Sequence, residues 1–207
     1  MNNTKDSRPK LTGHDLANFI STVVSPPTVA LVATIAFSFW SPIGLGSLSP
    51  LLVIVLSFLF FVFFPFLPVV YFYSKNVVDL YVSNKEKRTP FFLIAITSYS
   101  IAATIFFATN TSVMFLLALG YTAVTVILMG INLFWKVSIH CAGVTGPIFA
   151  LLFVFGIQAL PLSSIILLVC WSRIKLKNHT LAQTLVGTLI PLTVGLVEYN
   201  ILYPTLV

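Results

Sequence analysis

The chain has 207 residues, of which 58% are hydrophobic and 8% are charged, and its mean hydropathy is +1.03. Soluble domains are about 45–50% apolar and about 25% charged, so this composition excludes a soluble enzyme and a secreted disulfide scaffold. The formal net charge is +6, but the basic residues lie in short stretches between apolar runs. This distribution predicts a membrane protein whose partner is anionic lipid or phosphate, and not nucleic acid.

The first 24 residues differ from the rest of the chain. Residues 1–10 are polar, and residues 11–24 place apolar side chains at approximately helical spacing before Pro26 and Pro27. This pattern predicts a polar tail and an interfacial amphipathic helix over residues 1–24. Residues 25–207 are then expected to form a single transmembrane domain.

The transmembrane domain contains several long apolar runs. A hydrocarbon core of about 30 Å needs about 20 helical residues. The runs that predict spans are 27–40 with part of the preceding helix, 51–73, 91–109, 113–135 and 181–207. Residues 140–171 are too long for one perpendicular helix and are interrupted by Gly156 and Pro161, which predicts a hairpin of two short helices. The expected fold is an all-α, polytopic membrane bundle of six to seven transmembrane helices, this hairpin included.

The hairpin places every lysine and arginine on one side of the membrane. All eleven then lie in the N-terminal tail, in the segment after the second span, at Lys136, or after the hairpin. The positive-inside rule predicts that this side, and with it the N-terminus, is cytoplasmic. We expect an integral protein of the plasma membrane.

Three clusters of polar residues lie near the ends of the predicted spans on this side. Ionisable groups at membrane depth are costly and mark functional sites by default. The clusters are Lys85-Glu86-Lys87-Arg88-Thr89-Pro90; Lys136-Val137-Ser138-Ile139-His140; and Ser172-Arg173 followed by His179 and Gln183. Histidines and cations without a pair of acids suit a phosphate better than a divalent metal. We therefore expect a phosphate site with no metal and no other cofactor.

The two histidines can divide the work of phosphoryl transfer. One imidazole can attack phosphorus while the other protonates the leaving oxygen. His179 and Gln183 are spaced i, i+4 on the final helix, so the amide oxygen can fix one ring nitrogen and free the other as the nucleophile.

The motifs resemble those of the type 2 phosphatidic acid phosphatase superfamily. Ser172-Arg173, five residues, His179, three residues and Gln183 is similar to the signature S-R-x5-H-x3-D. Ser138-Ile139-His140 resembles P-S-G-H, and the segment ending Arg88-Thr89-Pro90 resembles K-x6-R-P. The resemblance covers roughly residues 51–191 and implies a metal-independent membrane phosphatase that acts through a phosphohistidine on lipid phosphates or isoprenoid pyrophosphates.

The resemblance also implies roles for single residues. His179 is then the nucleophile and His140 the general acid, while Arg88, Ser138 and Arg173 hold the phosphate. Ser172, Lys136 and Lys85 are further candidate phosphate ligands.

The chain departs from the family pattern at several positions. Gln183 replaces the aspartate of the third signature, Val137 and Ile139 replace proline and glycine, and Tyr81 stands where the first signature has lysine. Lys85, Lys87 or Lys136 could substitute for that lysine. A neutral amide can orient a histidine but does not stabilise imidazolium as a carboxylate does.

Other functions stay open at this point. The chain could be a non-catalytic protein that binds or moves lipid phosphates and lost turnover when aspartate became Gln183. A membrane prenyltransferase is disfavoured, because it needs aspartate-rich motifs for magnesium and Asp6, Asp15 and Asp79 are never paired. Lys85 could serve only as a topology signal, and Lys136 could simply extend from a span end to the interface.

Overall fold

The computed structural model describes residues 12–206, and every regular element in that range is a helix. Its α-helices are α1 (Gly13–Val23), α2 (Pro26–Trp40), α3 (Pro50–Ser57), α4 (Phe64–Ser74), α5 (Thr89–Ala108), α6 (Ser112–Phe134), α7 (Ile139–Phe155), α8 (Ser163–Lys175) and α9 (Leu181–Leu206). A π-helical segment, Phe58–Phe63, joins α3 to α4, and short 3₁₀ helices occupy Lys85–Lys87 and Gly156–Leu162.

Five helical stretches are long and apolar enough to cross a membrane. They are Pro50–Ser74, Thr89–Ala108, Ser112–Phe134, Ile139–Lys175 and Leu181–Leu206. Helices α1 and α2 give a sixth candidate if they form one span with a 49° bend. The predicted all-α membrane bundle is confirmed, and these helices begin and end within about two residues of most of the predicted runs.

Helices α7 and α8 form the predicted hairpin. Cys141, near the start of α7, and Cys170, near the end of α8, have their sulfur atoms 3.3 Å apart. One straight helix would separate these positions by about 44 Å, at about 1.5 Å per residue. The chain reverses at Gly156, whose φ of +63° lies in the left-handed region that favours glycine. Pro161 lies in the 3₁₀ segment that completes the turn.

The N-terminal helix α1 is docked on the bundle. It begins with a capping box, in which Thr12 and Asp15 exchange hydrogen bonds, and it packs against α8. Ala17 and Ser21 on its inner face are fully buried, whereas Leu16 and Phe19 are exposed. Helix α1 therefore contributes a wall to the interior of the protein, and residues 1–11 of the predicted tail and helix lie outside the described residues.

The bundle has two different ends. At one end, Ser47 bonds to the carbonyl of Thr109, and the hydroxyl of Ser112 donates to the carbonyl of Leu206. Gly46 is required there, because a side chain would collide with the backbone at Thr109 and Asn110. The three predicted polar clusters lie at the other end.

Candidate functional site

The three polar clusters meet through the backbone between α6 and α7. Arg88 donates from Nη1 to the carbonyl of Val137, 3.2 Å away. The next residue, Ser138, donates its backbone N–H to the carbonyl of Gln183, also at 3.2 Å. Helices α5, α7 and α9 thus bring their polar ends together around residues 137 and 138.

Arg88 is buried, and its Nε and Nη1 donate to oxygen acceptors of three residues. Its side chain is 4% exposed, and its Nε donates to the carbonyl of Val82 at 2.7 Å. Nη1 also lies 3.5 Å from Oδ1 of Asn132 on α6. Burial, together with the charge of Arg173, lowers the pKa of Arg88 to about 10, against the opposing effect of Asp79. The guanidinium stays charged at neutral pH and links the 75–88 segment to α6 and α7.

Arg173, in the last turn of α8, is also buried. It is 2% exposed, and its Nη1 donates to the hydroxyl of Ser21 on α1 at 2.7 Å. Its Nε is buried without a hydrogen-bond partner in residues 12–206. The guanidinium carbon lies 4.9 Å from the centroid of the Tyr81 ring, a cation–π arrangement. Arg173 therefore has unused donors at the site.

Neither arginine has an acidic partner in the described part of the chain. The acceptors of Arg88 are carbonyl and amide oxygens, and that of Arg173 is a hydroxyl. The carboxylate of Asp79 instead accepts hydrogen bonds from the backbone of Tyr81 and Ser83 and from the Ser83 hydroxyl. Burial raises the pKa of Asp79, but these hydrogen bonds outweigh it and the net shift is downward.

His179 and Gln183 form the predicted hydrogen-bonded pair, but they do not share a helix as predicted, because α9 begins at Leu181 and His179 lies in the segment before it. His179 Nδ1 lies 3.0 Å from Gln183 Oε1, and the backbone N–H of Thr180 donates to the same oxygen at 3.2 Å. A second N–H donor identifies this atom as the amide oxygen, which can only accept. Nδ1 therefore carries the proton, and Nε2 has a free lone pair.

The environment keeps His179 neutral. Burial lowers the pKa of His179 to about 4, the positive charges of Arg173, Lys136 and Arg88 add to that effect, and the Gln183 hydrogen bond opposes it. A neutral imidazole with a free Nε2 is the form that can act as a nucleophile.

His140 lies in the first turn of α7, next to Tyr81. It is half-buried, and the Tyr81 ring meets it edge-on with 5.5 Å between ring centroids. Tyr81 thus contacts Arg173 on one side and His140 on the other. Tyr81, which the sequence comparison placed at the lysine position of the first signature, therefore belongs to the candidate site through its aromatic ring.

Ser138 caps α7 and lies against α9. Its hydroxyl accepts from the Cys141 backbone N–H at 3.4 Å and lies 3.2 Å from the Cys141 sulfur. A Cβ on Gly187 would lie 2.5 Å from the Ser138 carbonyl oxygen. Gly187 is thus the residue that allows α9 to approach the N-terminus of α7.

The remaining predicted ligands occupy different places. Lys136 is half-buried, and its pKa is lowered by burial and then by the charges of Arg88 and Arg173. Lys85 Nζ donates to the carbonyls of Leu133 and Phe134, where it caps the C-terminus of α6. The buried Ser172 hydroxyl donates to the Val169 carbonyl of its own helix. Lys136 thus forms a cationic cluster with Arg88 and Arg173. Lys85 and Ser172 instead make their hydrogen bonds to helix backbone carbonyls, Lys85 at the end of α6 and Ser172 within α8.

An apolar groove opens at the site. Its volume is about 490 Å³, and its polar lining residues include Ser21, Tyr81, Arg88 and His140, whereas Arg173 and His179 do not line it. Its apolar lining includes side chains of the helical stretch Pro50–Ser74 and of α5 and α6: Val62, Phe66, Val69, Phe91, Tyr99 and Leu128.

Sequence reasoning missed three residues of this site, Ser21, Asn132 and Tyr81. Asn132 is a polar residue inside the apolar run of α6, whereas Ser21 lies in the amphipathic helix α1, where a serine is not unusual; both are buried. Polar side chains in such runs are costly, which is a usable signal. The sequence carries no equivalent signal for Tyr81.

Comparison with known proteins gives no matching family model, no matching curated protein and no matching solved structure. Within residues 12–206, no three His, Cys, Asp or Glu side chains are grouped so that they could hold a metal ion.

Proposed function

We propose that this protein is an integral membrane phosphatase that hydrolyses a lipid or polyprenyl phosphate or pyrophosphate through a phosphohistidine, without a metal. The observation that carries the proposal is that Arg88, Arg173, His140 and His179 lie near one another at one end of the bundle, where Arg88 and His140 also line an apolar groove.

The two arginines support an anionic ligand. Buried charges need a compensating partner, because desolvation costs several kcal/mol per ion. Arg173 lies close enough to Arg88 for its charge to lower the pKa of Arg88, and Lys136 adds a third cation. No carboxylate in residues 12–206 hydrogen-bonds to either guanidinium. A phosphate would neutralise this cluster and accept the free donors of Arg173.

The two histidines support hydrolysis through a covalent intermediate. Nε2 of His179 attacks phosphorus and forms an N–P bond while the P–O bond to the leaving group breaks. The bound phosphate anion favours the protonated form of His140, which gives that proton to the leaving oxygen and then accepts a proton from the water that attacks the phosphohistidine. This second step regenerates His179 and releases inorganic phosphate.

The groove supports a substrate with a hydrocarbon chain. Ligand pockets of several hundred Å³ that are apolar along their length and polar at one end suit an amphiphile. A chain in the groove would place its phosphate beside Arg88, Tyr81 and His140. The substrate partner is therefore a membrane lipid phosphate or pyrophosphate.

We also propose that the protein resides in the plasma membrane with the N-terminus and the site on the cytoplasmic side. The support is the position of the lysines and arginines, all of which fall on the side of the site in the hairpin topology.

The test is release of inorganic phosphate by the purified protein in detergent with EDTA present. The substrates are phosphatidic acid and prenyl phosphates and pyrophosphates of increasing length. We expect release that survives chelation and falls at least about a thousandfold in His179→Ala. The matched control is His14→Ala, which removes an exposed histidine of α1 and is expected to leave release unchanged.

A non-catalytic lipid-phosphate protein is the second candidate, favoured by the amide at Gln183. It would bind lipid phosphate without releasing phosphate, and Gln183→Asp would be equally inactive. Binding of the same lipids with no release by either protein would replace the phosphatase proposal with this one.

A further inference from the structure

A second polar site lies inside the bundle, far from the histidines along α9. Glu198 is 15 residues beyond Gln183, which corresponds to about 22 Å along the helix. Its side chain is 8% exposed, and Tyr199 next to it is 3% exposed. The proposed phosphatase reaction uses neither residue, so this site needs its own explanation.

Three buried oxygen atoms at this site have no partner. In residues 12–206, six buried side-chain polar atoms lack a hydrogen bond, and three of them are Glu198 Oε1, Tyr121 OH and Tyr199 OH. All three residues line the same cavity between α6, α7 and α9. Unsatisfied buried polar groups are rare in native proteins, so their grouping around one space indicates a ligand.

The cavity is small and contains no cation. Its volume is about 30 Å³, and in the described part of the chain no lysine, arginine or histidine lines it. A water molecule needs about 10–15 Å³ and two to four polar partners. The space therefore admits one or two water molecules and excludes an organic ligand.

The packing of α6 and α9 is adapted to the carboxyl group. A Cβ on Gly120 would lie 2.8 Å from Glu198 Oε2. Because Gly120 has no side chain, the carboxyl group of Glu198 can pack directly against α6. An ionised carboxylate with no cation beside it would be very costly at this depth, whereas a carboxylic acid can donate as well as accept a hydrogen bond.

We propose that Glu198, Tyr121 and Tyr199 bind water in this cavity, with Glu198 present as a neutral carboxylic acid. The water accepts from the hydroxyl groups and donates to the carboxyl oxygen, which satisfies the three atoms without a metal ion. The site links α6 to α9 in the interior of the membrane, and it is independent of the proposed phosphatase activity.

The direction of the change in Tm tests whether water binds the two tyrosine hydroxyl groups. Tyr199→Phe and Tyr121→Phe keep the ring and delete only the hydroxyl group. If each hydroxyl binds water, its loss lowers the Tm of the purified protein, whereas deletion of a hydroxyl with no partner raises it. The matched control is Tyr71→Phe, at an exposed position on α4, with an expected Tm equal to that of wild type. A higher Tm in both cavity variants would overturn the proposal.

Infrared difference spectra between wild type and Glu198→Gln test whether the Glu198 carboxyl group is neutral or ionised. We expect wild type to show the carbonyl-stretching band of a carboxylic acid, and a carboxylate band in its place would contradict the neutral form. Thermal melts over a series of NaCl and KCl concentrations distinguish water from a cation. A Tm that rises with one cation in wild type but not in Glu198→Gln would replace water by that cation.

Discussion

The ring of Tyr81 lies under the guanidinium of Arg173, with 4.9 Å between the guanidinium carbon and the ring centroid. The contact joins the segment after α4 to the last turn of α8, which are more than ninety residues apart in sequence. Because the Arg173 Nε has no partner in the described residues, the ring and Ser21 are what hold this side chain in place.

The Tyr81 contact predicts a defect in substrate binding. Tyr81→Leu removes a cation–π interaction of about 1 kcal/mol, which corresponds to about a fivefold rise in KM. Tyr81→Phe keeps the ring and is expected to behave as wild type. Steady-state phosphate release measures both, and an equal loss in the two variants would show that the hydroxyl matters and the ring stacking does not.

Ser21 is predicted to position Arg173. In Ser21→Ala the buried Nη1 loses its partner, at a cost of about 1–3 kcal/mol in the free energy of unfolding, and KM rises with it. The control is Thr104→Ala at an exposed position on α5 outside the groove, where the hydroxyl bonds to the Ser100 carbonyl within the helix. We expect Ser21→Ala to have a lower free energy of unfolding and a higher KM than the control variant. Equal values in the two variants would show that Ser21 does not position Arg173.

The low pKa of His179 predicts a broad activity profile on the acid side. The proposed nucleophile, His179, must be neutral to attack phosphorus, so we expect kcat/KM to fall only as the pH drops through about 4, the pKa of His179 in the free protein. In Gln183→Asp the carboxylate stabilises the imidazolium and raises that pKa, so the acid limb moves to higher pH. Profiles of kcat/KM from about pH 3 to pH 8 test this, and a limb that stays in place or moves down would contradict the assignment.

Gly187 is predicted to be essential for the junction of α7 and α9. In Gly187→Ala the new Cβ meets the Ser138 carbonyl at 2.5 Å, so the helices must separate and both the Tm and phosphate release fall. Gly130→Ala on α6 is the matched control, since nothing lies within 4 Å of its Cβ position. There we expect an unchanged or higher Tm, because alanine favours a helix by about 0.5–1 kcal/mol over glycine.

The hairpin predicts a cross-link. Mild oxidation by diamide in detergent should join Cys141 to Cys170, because their sulfur atoms are 3.3 Å apart and both thiols are free. Mass spectrometry of the digested protein would detect the linked peptides, and Cys170→Ser should abolish them. As a control, the denatured protein is oxidised in the same way. If Cys141 and Cys170 become linked in the denatured protein but not in the native protein, the chain reversal at Gly156 is contradicted.

The helices could be predicted because the bilayer fixes their length and apolarity. The prediction for residues 51–73 differs by one residue at each end from the observed Pro50–Ser74, and Gly156 with Pro161 marks the hairpin. The π-helical segment Phe58–Phe63 could not be predicted, since nothing in a uniformly apolar run distinguishes it. It gains a tertiary contact, in which the hydroxyl of Ser98 donates to the carbonyl of Phe60.

Only those residues of the candidate site that belong to a sequence motif could be predicted. The sequence predicts the His179–Gln183 pair from i, i+4 spacing, and the structure has that hydrogen bond at 3.0 Å. Lys85 looked like a phosphate ligand on charge alone, but its Nζ bonds to the end of α6. The positions of Lys85, Ser21 and Tyr81 depend on how distant segments pack, and residue type does not encode that packing.

The hydrogen bond from the Ser138 backbone to the Gln183 carbonyl acts as a pivot between α7 and α9. A thicker or thinner bilayer changes the tilt of long helices. Because the two helices are joined at their first turns, a change in tilt displaces their far ends most and their joined ends least. We therefore expect a change in bilayer thickness to alter the separation of Ser138 and Gln183 less than that of the far ends of the two helices.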